Sequence, residues 1–283
     1  MTEQYYESCG KRRRFFKRTA RKLLYRDWIS HMFAFLIAGA VYFGLMQFGA
    51  GVASAFYTLT DNRYLTVLWF SLFYVISFYV MVPIGYGIFN FEVNALKNEN
   101  SRLSHMFFAF ESPKMLMRSY KTALYAVWKS ILNFLPAIAL GFFNGTYYTQ
   151  GMFGRTVSVF GYDAIFLLLE TAYVVLLAVG VILSSKVFVG IYVTVERPEE
   201  SITNCFFTAN VCCASSKREM TKLVFSFMPL FVLSLFTLGF LFVLYTIPYV
   251  FLCITMFSKY LYTKEMVSKD ISKVLYTAQN NVE

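Results

Sequence analysis

Charged residues are scarce in this chain of 283 residues, because Asp, Glu, Lys and Arg together make up 15% of it. An average soluble domain contains about 25%. Apolar residues make up 58% of the chain and aromatic residues 20%. A soluble protein of this size needs polar side chains to cover its surface. The composition therefore excludes a soluble globular protein and predicts an integral membrane protein.

Metal-binding and catalytic patterns are also missing. The five cysteines include no Cys-x-x-Cys pair, and the two histidines lie far from them in the sequence, so zinc-ligand spacing is absent. We find no nucleotide-binding loop, nucleophile elbow or paired carboxylates. The sequence predicts no catalytic residue, no metal and no cofactor. The adjacent thiols of Cys212 and Cys213 are interpreted as small buried hydrophobic side chains.

Long apolar runs dominate what is present. The runs from Trp28 to Thr60 and from Tyr64 to Phe91 contain no charged residue, and each is long enough to cross about 30 Å of hydrocarbon as a helix. The 36 uncharged residues from Leu223 to Ser258 are too many for one span and are divided at Thr237 to Phe240. The prediction is an all-α membrane bundle of about six helices, with spans at about 29–55, 64–91, 122–143, 164–195, 222–237 and 239–261.

The domain organisation follows from these spans. Residues 1–27 form a basic cytoplasmic segment, 28–262 a six-span membrane domain and 263–283 a cytoplasmic tail. The polar stretches after spans two and four are interpreted as amphipathic segments that lie in the membrane interface.

Lysine and arginine are distributed unequally between the two faces of a six-span arrangement. Of 26 such residues, Arg63 and Arg155 lie on one face and the remaining 24 on the other. The positive-inside rule assigns the second face, with both termini, to the cytoplasm and the chain to the cytoplasmic membrane. A five-span arrangement would export four lysines, namely Lys259, Lys264, Lys269 and Lys273. The charge distribution therefore favours six spans.

The segment KRRRFFKRTARK, from Lys11 to Lys22, carries eight basic side chains in twelve positions. Nucleic acid and lipid head groups both present phosphates to such a run, but this one lies six residues ahead of a predicted span. We expect it to contact anionic lipid and not nucleic acid. An approximate apolar stripe, typical of a helix on a lipid surface, is formed by Phe16, Ala20, Leu23 and Trp28. The predicted head-group contacts are Arg12, Arg13, Arg14, Lys17, Arg18, Arg21 and Lys22.

Polar residues inside the predicted spans are further candidates. Glu170 lies about seven residues into span four, where a carboxylate costs a few kcal/mol unless it is paired, hydrated or protonated. It is either a proton or cation site or a residue that reaches water at the outer surface. Lys129 and Asn133 could share a polar site with Glu170, although their predicted depths differ by about 8 Å. Alternatively, Lys129 extends to the head groups.

A shift of 99 residues places LSHMFFAF (Leu103 to Phe110) over ITNCFFTA (Ile202 to Ala209). If this is an internal repeat, each unit is a span, an amphipathic segment and a returning span, and both units have the same orientation. Chance matches are common in apolar sequence, so both interpretations stay open.

Several stretches carry a resemblance to a known family. They are RPEESITNCFFTAN (Arg197 to Asn210), the region from Lys217 to Leu261 with Pro248-Tyr249, and RTARKLLYRDW (Arg18 to Trp28). Together they resemble an uncharacterised family of bacterial integral membrane proteins of the Gram-positive type, a domain of unknown function. The resemblance covers nearly the whole chain and implies a six-helix membrane protein. It implies no activity and no catalytic residues.

Three functional hypotheses follow. The first is a non-enzymatic accessory or scaffold protein of the cytoplasmic membrane, which binds anionic lipids and associates with a protein partner or with itself. The second is a small permease or a lipid or peptide exporter with a polar cavity near Glu170. The third, a membrane-embedded enzyme, lacks the clustered His, Asp or Ser groups that intramembrane catalysis requires. A polar cavity reaching toward the middle of the membrane would favour transport.

Overall fold

The computed structural model describes residues 9–60, 63–97, 102–150, 158–159, 162–214, 216–237 and 241–280. Within these ranges the α-helices are α1 Cys9–Arg26, α2 Trp28–Thr60, α3 Arg63–Leu96, α4 Pro113–Gln150, α5 Ala164–Glu196, α6 Ile202–Ala214, α7 Lys217–Phe225, α8 Met228–Phe236 and α9 Ile247–Asn280. A 3-10 helix, Leu103–Phe110, precedes α4, and a π-helical turn, Phe242–Thr246, precedes α9. Two short strands, β1 Ser158–Val159 and β2 Tyr162–Asp163, pair antiparallel before α5. The prediction of an all-α helical bundle is confirmed.

Among the residues that the structure describes, five segments are long and apolar enough to cross a membrane: Trp28–Thr60, Tyr64–Leu96, Pro113–Phe142, Leu168–Glu196 and Leu244–Met266. A bilayer offers no water to the backbone, so uncharged runs of this length satisfy their N–H and C=O groups as helices. The chain is therefore a membrane protein. These segments correspond to the first four predicted spans and to the last.

The fifth predicted span, 222–237, is not a single helix, and that prediction is wrong. Its residues are divided between α7 and α8, which have nine residues each and are separated by Ser226 and Phe227. Nine helical residues measure roughly 14 Å, less than half of the hydrocarbon thickness. Pro229 explains the break, because inside a continuous helix its ring would clash with the carbonyl of Phe225. In the first turn of α8 the missing N–H costs nothing.

Helix α8 is followed by a segment that runs back alongside it. The Oγ of Ser234 lies 2.9 Å from the Oγ1 of Thr246, and farther from the turn the ring centroids of Phe227 and Tyr249 are 5.9 Å apart. These contacts make α8 and the start of the last helical segment antiparallel neighbours. Of the predicted turn, only Thr237 belongs to the described residues. A hairpin is therefore present at this place, but its first arm is half a span long.

Helix α1 packs against protein along its apolar stripe. Phe16 and Ala20 are buried as the stripe requires, but the third buried position is Leu24 and not Leu23. The ring centroid of Phe16 lies 5.7 Å from that of Phe257 in α9. The expectation that this stripe lies on lipid is therefore wrong, because α9 already covers it.

Burial differs between the membrane-spanning helices. In the most apolar window of each candidate span, 6–22% of the residues are buried for the first four and 56% for the last. Helices α2 to α5 thus direct most of their apolar side chains outward, as helices in contact with lipid do. Helix α9 is enclosed by protein, mainly by α1, α5 and α6.

The two units related by the 99-residue shift begin with the same order of elements but differ in detail. Helices α3 and α5 end at Leu96 and Glu196, and each is followed by a short helix that packs on it. The shift aligns Phe107 with Phe206, yet the first is exposed and the second buried. A 3-10 helix and an α-helix turn by different angles per residue, so aligned side chains diverge. The returning helices also differ, since α4 is continuous and its counterpart is broken.

Candidate lipid head-group site

A groove of about 450 Å³ separates α1 from α8 and the start of α9. One wall carries the basic side chains of Arg14, Lys17, Arg18 and Arg21. Their spacing of three, four and seven residues places them on one face of the helix. The other wall is mainly apolar and consists of Ser226, Phe227, Pro229, Leu230, Leu233, Tyr245 and Tyr249. We call this site the basic groove.

Contacts with the end of α7 fix the basic wall of the groove in place. The Nζ of Lys17 donates a hydrogen bond to the carbonyl oxygen of Ser226 (2.8 Å), and Arg13 donates to that of Lys222 (3.4 Å). Carbonyls at a helix C-terminus lack intrahelical partners and carry the negative end of the dipole, so cations stabilise them. The Tyr249 hydroxyl donates to the carbonyl of Lys17 at 3.3 Å. Helix α1 is thus attached to both α7 and α9.

The ammonium group of Lys17 is held by contacts with other parts of the protein. Besides its bond to Ser226, its ammonium group lies 4.7 Å from the centroid of the Phe227 ring. Burial lowers the pKa of Lys17 below its ordinary value, and the neighbouring charges of Arg13 and Arg21 lower it further. This ammonium group is committed to protein contacts, so we do not count it among the head-group ligands.

The other predicted head-group residues fall into three groups. Arg14, Arg18 and Arg21 are exposed and line the groove. Lys22 is exposed on the same helix but does not line the groove, and the side chain of Arg12 lies outside the described residues. Contact of these cations with lipid stays a prediction.

An apolar groove of about 580 Å³ adjoins the basic groove. Tyr245 lines both, and the other lining residues are Tyr25, Trp28, Thr237, Leu241 and Leu244. Cationic side chains on one side of Tyr245 and apolar side chains on the other match an amphipathic anion. A phospholipid has this chemistry, because its phosphate adjoins its hydrocarbon chains.

The polar site predicted between spans three and four is not formed. The register of the α4–α5 pair is given by two close contacts, Gly141 with Tyr173 and Gly180 with Phe134. In this register Glu170 lies opposite a position near 144 and Lys129 opposite one near 185. About 15 residues of α5, or roughly 22 Å, separate the two levels. The prediction that Lys129, Asn133 and Glu170 line one cavity is therefore wrong.

Each of these residues has its own surroundings. Lys129 lies 5.6 Å from the centroid of the Tyr125 ring, and the Nδ2 of Asn133 donates to the Oγ of Ser184 at 3.3 Å. Glu170 is half-buried in α5. A groove of about 450 Å³ between α4 and α5 has mainly apolar walls, and its lining includes none of the three.

A buried pair of ionisable residues joins α2 to α3. The Nδ1 of His31 lies 2.9 Å from the Oε1 of Glu92, and these side chains are 1% and 0% exposed. The sequence predicts that Glu92 belongs to the polar stretch after span two, but α3 continues to Leu96 and Glu92 is buried. The sequence did contain a signal for this pair. A carboxylate directly follows an uncharged run, and a histidine lies near the start of the preceding span.

Arg118 is a second residue whose role is not evident from the sequence. Its guanidinium group donates to the carbonyl oxygens of Thr194 (3.2 Å), Arg197 (2.8 Å) and Glu200 (2.7 Å). The Tyr86 hydroxyl also donates to the Thr194 carbonyl, at 3.0 Å. The Thr194 carbonyl lies at the C-terminus of α5, where Pro198 offers no N–H group to it. The other two belong to the following turn, and the Arg197 carbonyl also accepts from the Glu200 N–H at 3.3 Å. Arg118 therefore fixes the connection between α5 and α6.

Comparison of the chain with protein-family models, with curated proteins and with solved structures found no match. Among the residues that the structure describes, no group of three or more His, Cys, Asp or Glu side chains is placed to hold a metal ion.

Proposed function

We propose that this chain is a non-enzymatic accessory protein of the cytoplasmic membrane that binds an anionic phospholipid in the basic groove. The observation that carries the proposal is the face formed by Arg14, Arg18 and Arg21, which lies opposite an apolar wall. A cation near an anionic leaflet contributes about 1 kcal/mol of attraction. Three cations held on one helix face give a phosphate several donors at once.

The rigidity of α1 supports a defined site over a diffuse basic tail. The hydrogen bonds from Lys17 and Arg13 to the end of α7 hold the helix, as does the burial of Phe16 against α9. The helix that carries the groove cations is therefore held in place before a lipid arrives, which reduces the entropic cost of binding.

Two short helices supply a surface for a protein partner or a second copy. The 3-10 helix exposes Phe107 and Phe110, and α6 exposes Phe207. Exposed aromatic side chains on amphipathic segments are typical of helices at the membrane surface and of interaction sites. This arrangement supports the accessory role, with lipid binding as its first testable component.

The exporter hypothesis has weaker support in the geometry. It predicts a polar cavity near Glu170, and the α4–α5 register keeps Lys129 from contributing to such a cavity. The groove between these helices is mainly apolar. Transport through this place is therefore the less favoured proposal.

The test is lipid retention by the purified full chain in mild detergent. Phosphatidylglycerol or phosphatidylcholine is added in increasing amounts, and the bound fraction is measured by native mass spectrometry. We expect preferential binding of phosphatidylglycerol, which decreases as salt screens the charges. The Arg14→Gln/Arg18→Gln variant loses about 2 kcal/mol of attraction, or roughly 30-fold in affinity.

The matched control is Lys121→Gln/Lys264→Gln, which removes the same charge from exposed residues outside the groove. This variant is expected to bind phosphatidylglycerol as the wild-type chain does. Equal losses in both variants would show that only total charge matters and would contradict a defined site. Equal binding of the two lipids by the wild-type chain would contradict the proposal as a whole.

A further inference from the structure

A separate cavity of about 360 Å³ lies among the membrane-spanning helices, away from the basic groove. Its longest walls are α3 from Phe78 to Phe89 and α4 from Ser119 to Val127. The far wall is completed by Phe35, Ile191 and Phe251. We call it the lateral cavity. Almost all of its lining is aliphatic or aromatic, so its occupant must have a hydrocarbon body.

The mouth of the lateral cavity faces outward between α3 and α4. Phe78 and Val127 at its rim are 38% and 44% exposed, whereas Tyr86 and Phe89 deeper inside are 4% and 7% exposed. Helices α3 and α4 are among the segments that cross the membrane and present apolar residues outward. The mouth therefore opens on the surroundings of two spans, where the molecules present are lipids.

One polar group inside the cavity has no partner. Thr122 is 2% exposed and lines the cavity, and its Oγ1 makes no hydrogen bond. A buried hydroxyl without a partner costs free energy, which a ligand oxygen would restore by accepting its hydrogen bond. Thr122 lies nine residues after the start of α4 at Pro113, so it is at the end of the cavity nearer the interfacial 3-10 helix.

The length of the cavity matches one lipid chain. The wall from Phe78 to Phe89 extends over roughly 16 Å of helix. One leaflet contributes half of a hydrocarbon core of about 30 Å, or roughly 15 Å. A chain with an ester carbonyl at its head-group end would place that carbonyl at the Thr122 end.

We infer that the lateral cavity binds one acyl chain of a membrane phospholipid, with the Thr122 hydroxyl donating a hydrogen bond to its ester carbonyl. This site is independent of the basic groove, because it recognises the chain and the ester and not the charge of the head group. A zwitterionic lipid satisfies it as well as an anionic one.

The test uses phosphatidylcholine with a photoreactive diazirine in one acyl chain. The full chain is reconstituted in vesicles of this lipid diluted in ordinary phosphatidylcholine, irradiated and mapped by peptide mass spectrometry. We expect labels concentrated on residues 78–89 and 119–127. Labels spread evenly over the outward faces of α2 to α5 would show surrounding bilayer lipid only and would overturn the proposal.

Two substitutions test whether the labelled lipid occupies the cavity. Ala123→Phe places a ring in the cavity, since Ala123 lines it, and is expected to reduce labelling of these segments at least fivefold. Ala139→Phe adds the same ring at an exposed position of the same helix and is expected to leave labelling unchanged. Undiminished labelling in Ala123→Phe would overturn the assignment.

A near-isosteric variant covers the case in which Ala123→Phe does not fold. Thr122→Val is expected to reduce labelling of the cavity twofold to fivefold, because valine lacks the hydroxyl. Thr122→Ser keeps the hydroxyl and is expected to retain the labelling. Equal labelling in all three forms would refute the hydrogen bond. Disulfide-linked dimers of an Ala123→Cys variant, in place of lipid labelling, would assign the cavity to a second copy and reject the lipid.

Discussion

The imidazole of His31 and the carboxylate of Glu92 form a contact between the first two spans, with Nδ1 and Oε1 2.9 Å apart. The His31 ring also packs against Phe91, at 5.2 Å between centroids. The second nitrogen of the imidazole and the second carboxylate oxygen have no hydrogen-bond partner. Each group thus depends on the other, since neither reaches water.

Removal of one member of this pair should be more harmful than removal of both. We expect Glu92→Leu to lower the free energy of unfolding by about 3 kcal/mol, because it leaves a buried imidazole without its partner. The double variant His31→Leu/Glu92→Leu should recover most of the loss. The measurement is the thermal unfolding midpoint in detergent, and a double variant no more stable than the single one would contradict this prediction.

Gly87 controls the approach of the 3-10 helix to α3. A Cβ atom at this position would lie 1.7 Å from the carbonyl oxygen of Met106, which is backbone and has to move as a whole. We expect Gly87→Ala to destabilise the chain by about 3 kcal/mol. Gly85→Ala is the matched control, since no heavy atom lies within 4 Å of its new Cβ. It should stay within about 1 kcal/mol of wild type.

Arg118 should control the accessibility of the α5–α6 connection. Arg118→Met leaves the carbonyls of Thr194, Arg197 and Glu200 without their shared donor. We expect a loss of about 3 kcal/mol and faster alkylation of the buried Cys205 thiol, followed by peptide mass spectrometry. Arg218→Met, at an exposed position, is the control. Unchanged alkylation in Arg118→Met would show that α6 is held by packing alone.

Thiol reactivity at Cys213 should depend strongly on pH. Burial raises the pKa of Cys213 from its ordinary value of 9.0 to about 12. At pH 8 its thiolate fraction is then roughly a thousandfold lower than in the unfolded chain, and only the thiolate reacts with maleimides. We expect negligible labelling of folded protein at pH 8 and full labelling after denaturation.

The same shift has a consequence for stability. Because the unfolded thiol ionises near pH 9.0 and the folded one near pH 12, stability is unaffected below pH 9 and decreases between these values. Rapid labelling of Cys213 in folded protein at pH 8 would contradict its burial.

The hairpin of α8 and the start of α9 predicts the position of the C-terminus. If this hairpin enters and leaves on one face, α2 to α5 provide four complete crossings and both termini share the cytoplasmic side, as the lysine distribution favours. A fluorescent protein fused after Met266 should fluoresce, whereas alkaline phosphatase fused there should be inactive. Fusions after Thr60, at the end of α2, should give the opposite pattern. An active phosphatase at the C-terminus would instead indicate five complete crossings.

Much of the fold could be predicted because few backbone conformations satisfy their hydrogen bonds in hydrocarbon. Uncharged runs such as Trp28 to Thr60 become helices wherever they pack, since their backbone has no other way to satisfy its hydrogen bonds. The first four predicted spans therefore lie within α2 to α5 or overlap them closely, although α3 and α4 extend beyond the predicted bounds. The fifth span was misjudged because uncharged length alone does not reveal the break that Pro229 imposes between α7 and α8.

The candidate site was predicted only in its residue types. The sequence predicted Arg14, Arg18 and Arg21 among the head-group contacts, but it assigned the apolar stripe of α1 to lipid. Whether Phe16 meets lipid or protein depends on α9, which lies more than 200 residues away in the sequence. The pairing of His31 with Glu92, and the separation of Glu170 from Lys129, likewise depend on the register between helices.

The amino-acid sequence by itself determined that this is a helical membrane protein, where most of its spans lie, and that basic residues gather before the first of them. These properties follow from composition and from the local energetics of burying a backbone in hydrocarbon. Only the tertiary structure decided that α1 docks on α7 and α9, that His31 meets Glu92, and that grooves form beside the arginines. Such features arise from packing between distant segments, and local sequence patterns do not encode which faces of two helices meet.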